Sequence, residues 1–270
     1  MTQAHPKFGI PMNALQYAEE WQRSAEAFSS ANHYAWMSDQ LGDMKRVIEV
    51  GCGSGTSTEA LVATGRHILV IESNQHCATI SHDRLKSKGI PVEIISVGQL
   101  GSLVSWGEVG VKLLVEDILS TELEKQLPHG WFDAVVCWMT GSNPEHIGTS
   151  IGKPYMNFDG SEMPAYRQKV QGRCYELGAR VLRGEGIVHI VDRAAISSWS
   201  DKDQLRLDLA KTLGSVAGAR YSLSKDDCFL RKLTEGLSQS SIQYVSQVPA
   251  GSKGVVVLTS ARAHLASRDA

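Results

Sequence analysis

The feature that most constrains this chain of 270 residues is a repeated alternation of short apolar runs with longer stretches of helical spacing. Such alternation is typical of a parallel sheet covered by helices on both faces, because strands buried on both sides carry nearly continuous apolar side chains. The predicted strands are RVIEV at 46–50, HILVIE at 67–72, VKLLVE at 111–116, FDAVVCW at 132–138 and GIVHIVD at 186–192. We therefore predict an α/β fold.

The stretches between these strands predict helices at 56–64, 77–89 and 165–186. The first forty residues contain LQYAEEWQRSAEAF, which also has helical spacing, and they predict an N-terminal helical extension over 1–40. Aromatic residues in this extension, Trp21 among them, could close over a ligand as a lid or pack on the sheet, and both roles stay open. Residues 41–270 then form the main ligand-binding domain.

The end of the chain departs from this alternation. The runs SIQYVSQV at 241–248 and GVVVLTSARA at 254–263 are joined by PAGSK, which is too short for a crossover helix. They are therefore predicted to pair as an antiparallel hairpin. Residues 90–106 also have strand character, and their role stays open, although we prefer the run at 111–117 as the third strand.

Composition excludes several classes of protein. The formal net charge is −2, from 27 basic and 29 acidic residues without a basic run, so nucleic acid is an unlikely partner. The five cysteines form no Cys-x-x-Cys pair, and no metal-ligand spacing is present, so neither a disulfide framework nor a metal site is predicted. No apolar run approaches the roughly 20 residues that span a bilayer, and we predict a cytoplasmic protein that does not bind membranes. The oligomeric state is left open.

Three glycines, Gly51, Gly53 and Gly55, follow the first strand and precede a predicted helix. Bare backbone at that position leaves N–H groups accessible near a helix start, which suits a nucleotide-like ligand that approaches closely. The dinucleotide fingerprint is G-x-G-x-x-G, and here the third glycine comes one residue early. This spacing weakens the dinucleotide interpretation.

With Glu49 included, EVGCGSG resembles the first motif of the class I S-adenosylmethionine-dependent methyltransferases, and the resemblance covers roughly 45–263. It implies a Rossmann-like, seven-stranded, mostly parallel sheet with helices on both faces and a C-terminal antiparallel hairpin. It also implies S-adenosylmethionine as cofactor, with Glu72 of LVIES accepting hydrogen bonds from the ribose hydroxyls. Asp117 of LLVEDIL would face the adenine amino group, with Ile118 beside the ring. The implied cofactor residues are Glu49, Gly51, Gly53, Gly55, Glu72, Asp117 and Ile118.

The chemistry of the cofactor agrees with this set of residues. S-adenosylmethionine carries a sulfonium, an ammonium and a diol, so its site needs hydrogen-bond acceptors and no clamp for phosphates. Carboxylates at the carboxyl ends of neighbouring parallel strands lie along the edge where open α/β sheets bind ligands.

The stretch CWMTGSNPEHIG after the fourth strand should supply the methyl-transfer floor, with Trp138 and Asn143 as candidate substrate contacts. His146 is the candidate general base, although a histidine in a polar loop is more often a bystander. SNPE is similar to the N-P-P-aromatic motif of amino-methylating nucleic-acid enzymes but lacks its second proline and aromatic residue, so that activity is not carried over. Residues 149–166 predict a long loop in which Tyr155 contacts substrate, as a lid or as a surface loop.

The leading prediction is an S-adenosylmethionine-dependent enzyme that methylates an oxygen or nitrogen of a small organic molecule. Three alternatives stay open: a protein or RNA methyltransferase, a non-catalytic S-adenosylmethionine-binding protein, and an NAD-dependent oxidoreductase. The acceptor is not identified by the sequence.

Overall fold

A computed structural model describes residues 13–107, 109–233 and 254–266 of the chain. Its core is one nine-stranded sheet in the order β3-β4-β2-β1-β5-β6-β9-β7, with β8 pairing to β9. The strands are β1 Arg46–Val50, β2 His67–Glu72, β3 Val92–Ile95, β4 Val111–Val115, β5 Phe132–Trp138, β6 Leu182–Ile196, β7 Tyr221–Ser222, β8 Cys228–Lys232 and β9 Val255–Leu265.

Eight α-helices of the described ranges cover the sheet: α1 Ala14–Ser30, α2 His33–Asp39, α3 Thr56–Val62, α4 Gln75–Ser87, α5 Glu122–Gln126, α6 Pro144–Ile151, α7 Glu162–Val181 and α8 Lys202–Ala217. They form two layers. Apolar residues of α1 to α4 cluster with Val47 and Val70 on one face. Residues of α5 to α8 cluster with Ile48 and Leu69 on the other. Neighbouring strand residues thus face opposite layers, which is why these strands are apolar throughout.

The predicted Rossmann-like α/β fold is confirmed. Strands β1, β2, β4, β5 and β6 pair in parallel, and chain order reverses between β1 and β5, the neighbours at the centre. At such a reversal the connections leave in opposite directions and open a crevice at the carboxyl ends of the strands. The residues that follow β1, β2 and β5 therefore surround one opening.

The described residues form nine strands rather than the expected seven because short strands extend both edges of the sheet. Residues 90–106, whose role was open, form the edge strand β3 and a 3-10 helix at Val97–Ser105. Since β4 lies next to β2, the run at 111–115 takes the third-strand position that we preferred.

The reversed strand at the C-terminal end is β9, which pairs antiparallel with β6 from Ile196↔Val255 to Ile187↔His264. The first arm of the predicted hairpin, 241–248, lies outside the described residues. On its other side β9 pairs antiparallel with β8 and β7.

Two predicted boundaries are wrong. The loop expected over 149–166 is limited to 152–161, because α6 extends to Ile151 and α7 begins at Glu162. Gly152, with φ of 69°, ends α6, and the Glu162 carboxylate accepts backbone N–H groups that precede α7. The helix predicted to reach residue 186 ends at Val181, since β6 already begins at Leu182.

Within the predicted N-terminal extension, the structure has the helices α1 and α2. Asn13 and Gln16 form a reciprocal capping box at the start of α1. Phe28, Tyr34 and Met37 are buried in the apolar cluster that α1 to α4 form against the sheet. Helices α1 and α2 therefore belong to the core. Within the described ranges, no helix combines the length and apolar character needed to cross a bilayer.

Candidate functional site

The glycine turn between β1 and α3 uses left-handed backbone at every glycine. Gly51, Gly53 and Gly55 have φ of 78°, 53° and 78°, a region that residues with a Cβ rarely adopt. Gly51 N–H donates to the Ile71 carbonyl, and Gly55 N–H donates to the Cys52 carbonyl. The three predicted glycines therefore produce one tight turn at the carboxyl end of the central strand.

Glu72 ends β2 beside this turn. Its Oε2 accepts the Gly53 N–H at 3.2 Å, and its Oε1 accepts the Asn74 N–H at 2.8 Å. The side chain is nearly buried, and this burial raises the pKa of Glu72 although both N–H groups favour the charged form. The carboxylate thus couples the glycine turn to the start of α4 and also lines the crevice.

The crevice encloses about 350 Å³, its open mouth included. Its walls are Tyr17, Trp21, Gly51, Gly53, Glu72, Asn74, Cys77, Met139, Thr140, Gly141 and Ser142. Among the described residues, none of those that line it is a lysine or an arginine. Glu72 is the charged group of the set, so the crevice is suited to a ligand that donates hydrogen bonds or carries positive charge.

The floor of the crevice, at the end of β5, contains a strained residue. Met139 has φ of 52°, and its N–H donates to the Val191 carbonyl at 2.7 Å. Left-handed backbone at a non-glycine residue costs free energy and persists where surrounding structure enforces it, which is common at functional sites. This conformation of Met139 turns the chain so that residues 140–142 line the crevice.

Glu49 lies behind the turn and is not among the described residues that line the crevice. It is 2% exposed, and its carboxylate accepts hydrogen bonds from the hydroxyls of Ser57 and Thr58, the latter at 2.6 Å. Burial raises the pKa of Glu49 to about 7, although both hydroxyl groups favour the charged form. The hydrogen bonds to Glu49 therefore hold the start of α3 against β1.

Asp117 follows β4, and His146 lies in α6. Asp117 Oδ1 accepts the Leu119 N–H at 2.9 Å, while Oδ2 lies 3.3 Å from His146 Nε2. Burial alone would raise the pKa of Asp117, but hydrogen bonds from His146 and the Leu119 N–H outweigh it and lower that pKa. Two residues predicted for different roles are thus in contact. Ile118, at 5% exposure, packs in the core beside them.

Two predicted substrate residues make structural contacts, and their contact with substrate stays a prediction. Trp138 is 4% exposed, and its indole N–H donates to Nδ1 of the buried His189 at 3.1 Å, so it belongs to the core. Asn143 caps α6, because its Oδ1 accepts the His146 N–H at 2.8 Å. Tyr155 lies on a 3-10 turn against Phe158, outside the crevice walls, and its contact with substrate stays a prediction.

Sequence reasoning missed Tyr17 as a crevice residue. Tyr17 and Trp21 are four residues apart on α1, and their rings stack with centroids 6.3 Å apart. The Arg193 guanidinium lies 5.9 Å from the Trp21 ring and 4.6 Å from the Phe28 ring. Aromatic spacing of i and i+4 in the predicted helix was the available signal, but its position over the crevice depends on tertiary packing.

Within residues 13–107, 109–233 and 254–266, no three histidine, cysteine, aspartate or glutamate side chains converge as a metal site.

No protein-family model matches this chain, and no curated protein matches it. Among solved structures it is similar to the YcgJ protein from Bacillus subtilis, with 11% identity, a TM-score of 0.48, and coverage of 87% of this chain and 99% of that one. It is similar to the N-methyltransferase NodS from Bradyrhizobium japonicum WM9, with 11% identity, a TM-score of 0.45, and coverage of 87% and 95%.

A third similar structure is a geranyl diphosphate methyltransferase in complex with GPP and sinefungin, with 14% identity, a TM-score of 0.46, and coverage of 86% of this chain and 77% of that one. At TM-scores below 0.5 these similarities carry no functional argument, and the chain's own site must supply it. The chain has the Rossmann-like α/β fold, which its own strand order establishes.

Proposed function

We propose that this chain is a class I S-adenosylmethionine-dependent methyltransferase that acts on a small organic acceptor. The observation that carries this proposal is the contact between Glu72 and the left-handed turn at Gly53, in a crevice whose described walls contain no basic residue. A carboxylate at the end of the second strand accepts the hydroxyls of a ribose diol. A dinucleotide would bind its pyrophosphate at a G-x-G-x-x-G turn, and here the third glycine comes one residue early.

The crevice walls suit a sulfonium cation. Trp21 and Tyr17 on α1 present aromatic rings on one side, and ring faces attract cations. Bare backbone at Gly51, where no atom lies within 4 Å of a Cβ position, allows the methionine part of the cofactor to approach the turn closely. In this proposal α1 forms a roof over the cofactor, which is the lid role that the sequence left open.

The adenine of the cofactor would extend from Glu72 towards Asp117, because β4 neighbours β2 in the sheet. Ile118 supports that end from the core. Glu49 acts indirectly, by holding the helix start against β1 so that the glycine turn keeps its shape.

Methyl transfer at this site is an in-line displacement. S-adenosylmethionine held in the crevice would supply an electrophilic methyl group to a lone pair on the acceptor oxygen or nitrogen, with the sulfur of S-adenosylhomocysteine as the leaving group. The acceptor's proton is lost to solvent or to a base. Thr140 and Ser142, with Gly141 between them, line the floor where the acceptor would lie, and holding the acceptor in line supplies most of the expected rate gain.

Calorimetric titration of the purified protein tests the cofactor. We expect S-adenosylmethionine and S-adenosylhomocysteine to bind and NAD to show no heat of binding. Binding of NAD alone would replace this proposal with the oxidoreductase alternative.

An acceptor screen with methyl-labelled S-adenosylmethionine tests the reaction. Label transferred to small hydroxyl or amine compounds supports the proposal, whereas label found only in added RNA or protein favours those acceptors. Cofactor binding without transfer to any acceptor class would favour a non-catalytic binding protein.

A further inference from the structure

His146 lies beside Asp117, the residue expected at the adenine end of the cofactor. Neither His146 nor Asp117 is among the described residues that line the crevice, and Nε2 of the histidine is 3.3 Å from Oδ2 of the aspartate. This places the imidazole beside the end of β4, and two strands, β2 and β1, lie between β4 and β5, where the acceptor floor lies.

Packing fixes the orientation of the imidazole. The Tyr166 ring meets it edge to face with centroids 5.9 Å apart, and the Asn143 side chain caps the first turn of α6 at the His146 N–H. A carboxylate oxygen accepts hydrogen bonds, so a proton on Nε2 would point towards an acceptor. The imidazole therefore lies where it can hold the Asp117 carboxylate in place.

The Asp117 carboxylate is thereby held from two directions. The Leu119 N–H donates to Oδ1 and His146 approaches Oδ2, while Lys169 adds a more distant positive charge. The side chain is still 30% exposed, so lone pairs remain available to an outside donor. A carboxylate fixed in this way recognises a donor whose position is also fixed.

We propose that His146 is a positioning residue for the adenine end of the cofactor: it orients the Asp117 carboxylate to accept the 6-amino group. This inference rests on the proposed function. It replaces the role of general base that the sequence suggested, and it makes His146 a determinant of selectivity for adenine over purines that lack the amino group.

A thermodynamic cycle between protein and ligand tests the inference. Calorimetry would measure binding of S-adenosylhomocysteine and of S-inosylhomocysteine, in which a carbonyl oxygen replaces the 6-amino group. The proteins are wild type, His146→Ala and His146→Gln, whose amide nitrogen can donate from nearly the same place as Nε2. His82→Ala, a histidine on α4 paired with Asp83, is the matched control. Thermal unfolding establishes that each variant is folded.

We expect His146→Ala to weaken S-adenosylhomocysteine by roughly tenfold, the size expected for a hydrogen bond to a charged group, and to weaken the inosine analogue by less than about twofold. His146→Gln should recover most of the affinity, and His82→Ala should match the wild type. Equal losses for both ligands, or no loss, would overturn the inference while leaving the proposed function intact. A folded wild type that binds neither ligand would overturn both.

Discussion

The indole ring of Trp21 lies so close to the backbone of Gly53 that a Cβ atom at residue 53 would stand 2.2 Å from Trp21 Cδ1. Real Cβ atoms do not make contacts of this length, so the absence of a side chain at this glycine is required by helix α1 as well as by its φ of 53°. Gly53 therefore couples the shape of the turn to the position of helix α1.

We predict that Gly53→Ala is more destabilising than an alanine at another left-handed glycine. Gly65 is the matched control, since its φ is 74° and no atom lies within 4 Å of its Cβ position. Gly65→Ala should lose about 1–2 kcal/mol of unfolding free energy from backbone strain alone. Gly53→Ala should lose about 1–3 kcal/mol more from overpacking, measured by urea denaturation.

The double variant Gly53→Ala with Trp21→Ala separates the two causes. Removal of the indole should recover the unfolding free energy that Gly53→Ala loses to overpacking. The loss caused by backbone strain should remain. If the double variant is no more stable than Gly53→Ala, the contact with Trp21 does not explain the requirement for glycine.

We predict that Trp21→Ala weakens S-adenosylmethionine binding by roughly three- to tenfold, which corresponds to about 0.5–1.5 kcal/mol for an aromatic contact. The roof over the crevice loses one of its two aromatic walls in this variant, so dissociation should accelerate more than association slows. Stopped-flow fluorescence would measure both rates. Trp199→Ala, on a 3-10 turn outside the crevice walls, should leave them unchanged. Unaltered rates in Trp21→Ala would remove α1 from the cofactor site.

We predict that Glu72→Gln weakens S-adenosylmethionine binding by tenfold or more, measured by calorimetry. The carboxylate accepts N–H groups through both oxygens, and the amide nitrogen of glutamine would set a donor against one of them. Glu93→Gln is the control, because Glu93 pairs with Lys112 at the sheet edge, away from the crevice. Equal affinities of Glu72→Gln and the wild type would exclude Glu72 from the site.

The central sheet was predictable because its strands are buried on both faces and carry continuous apolar runs, as in RVIEV of β1. The edge strand β3 lies in a segment with strand character, but Glu93 interrupts its apolar run, and Glu93 and Ile94 are both exposed at the edge of the sheet. The start of α6 did carry a signal, with Asn143 as cap and Pro144 in the first turn, but the glycines and prolines after it suggested a loop instead.

The site was predictable where a residue's role depends on its place at a strand end or in the turn. The left-handed glycines and the position of Glu72 follow from local sequence in this way. Partners that are distant along the chain did not follow: His146 meets Asp117 only because α6 packs beside the end of β4. Similarly, the hydroxyls that bind Glu49 come into reach only after the turn has reversed the chain.

The buried Glu49 makes the stability of the protein depend on pH. Its pKa is raised from 4.5 to about 7 by burial, so between these values the folded state keeps a proton that the unfolded state has lost. This contribution to stability is therefore fully present below pH 4.5 and is lost as pH rises through 7. The unfolding free energy that is lost in this way amounts to roughly 3 kcal/mol.

Glu49→Gln has no such proton, and its amide can still bond to the hydroxyls of Ser57 and Thr58. We expect its unfolding free energy, relative to that of the wild type, to increase by roughly 3 kcal/mol between pH 4.5 and pH 8. Urea denaturation at several pH values measures this difference, and the contributions of all other groups cancel between the two proteins. Glu59→Gln, on the same helix but partly exposed and paired with Arg84, is the control variant. A difference for Glu49→Gln that does not vary with pH would mean that Glu49 is charged in the folded protein throughout this range, and that the hydroxyls compensate its burial in full.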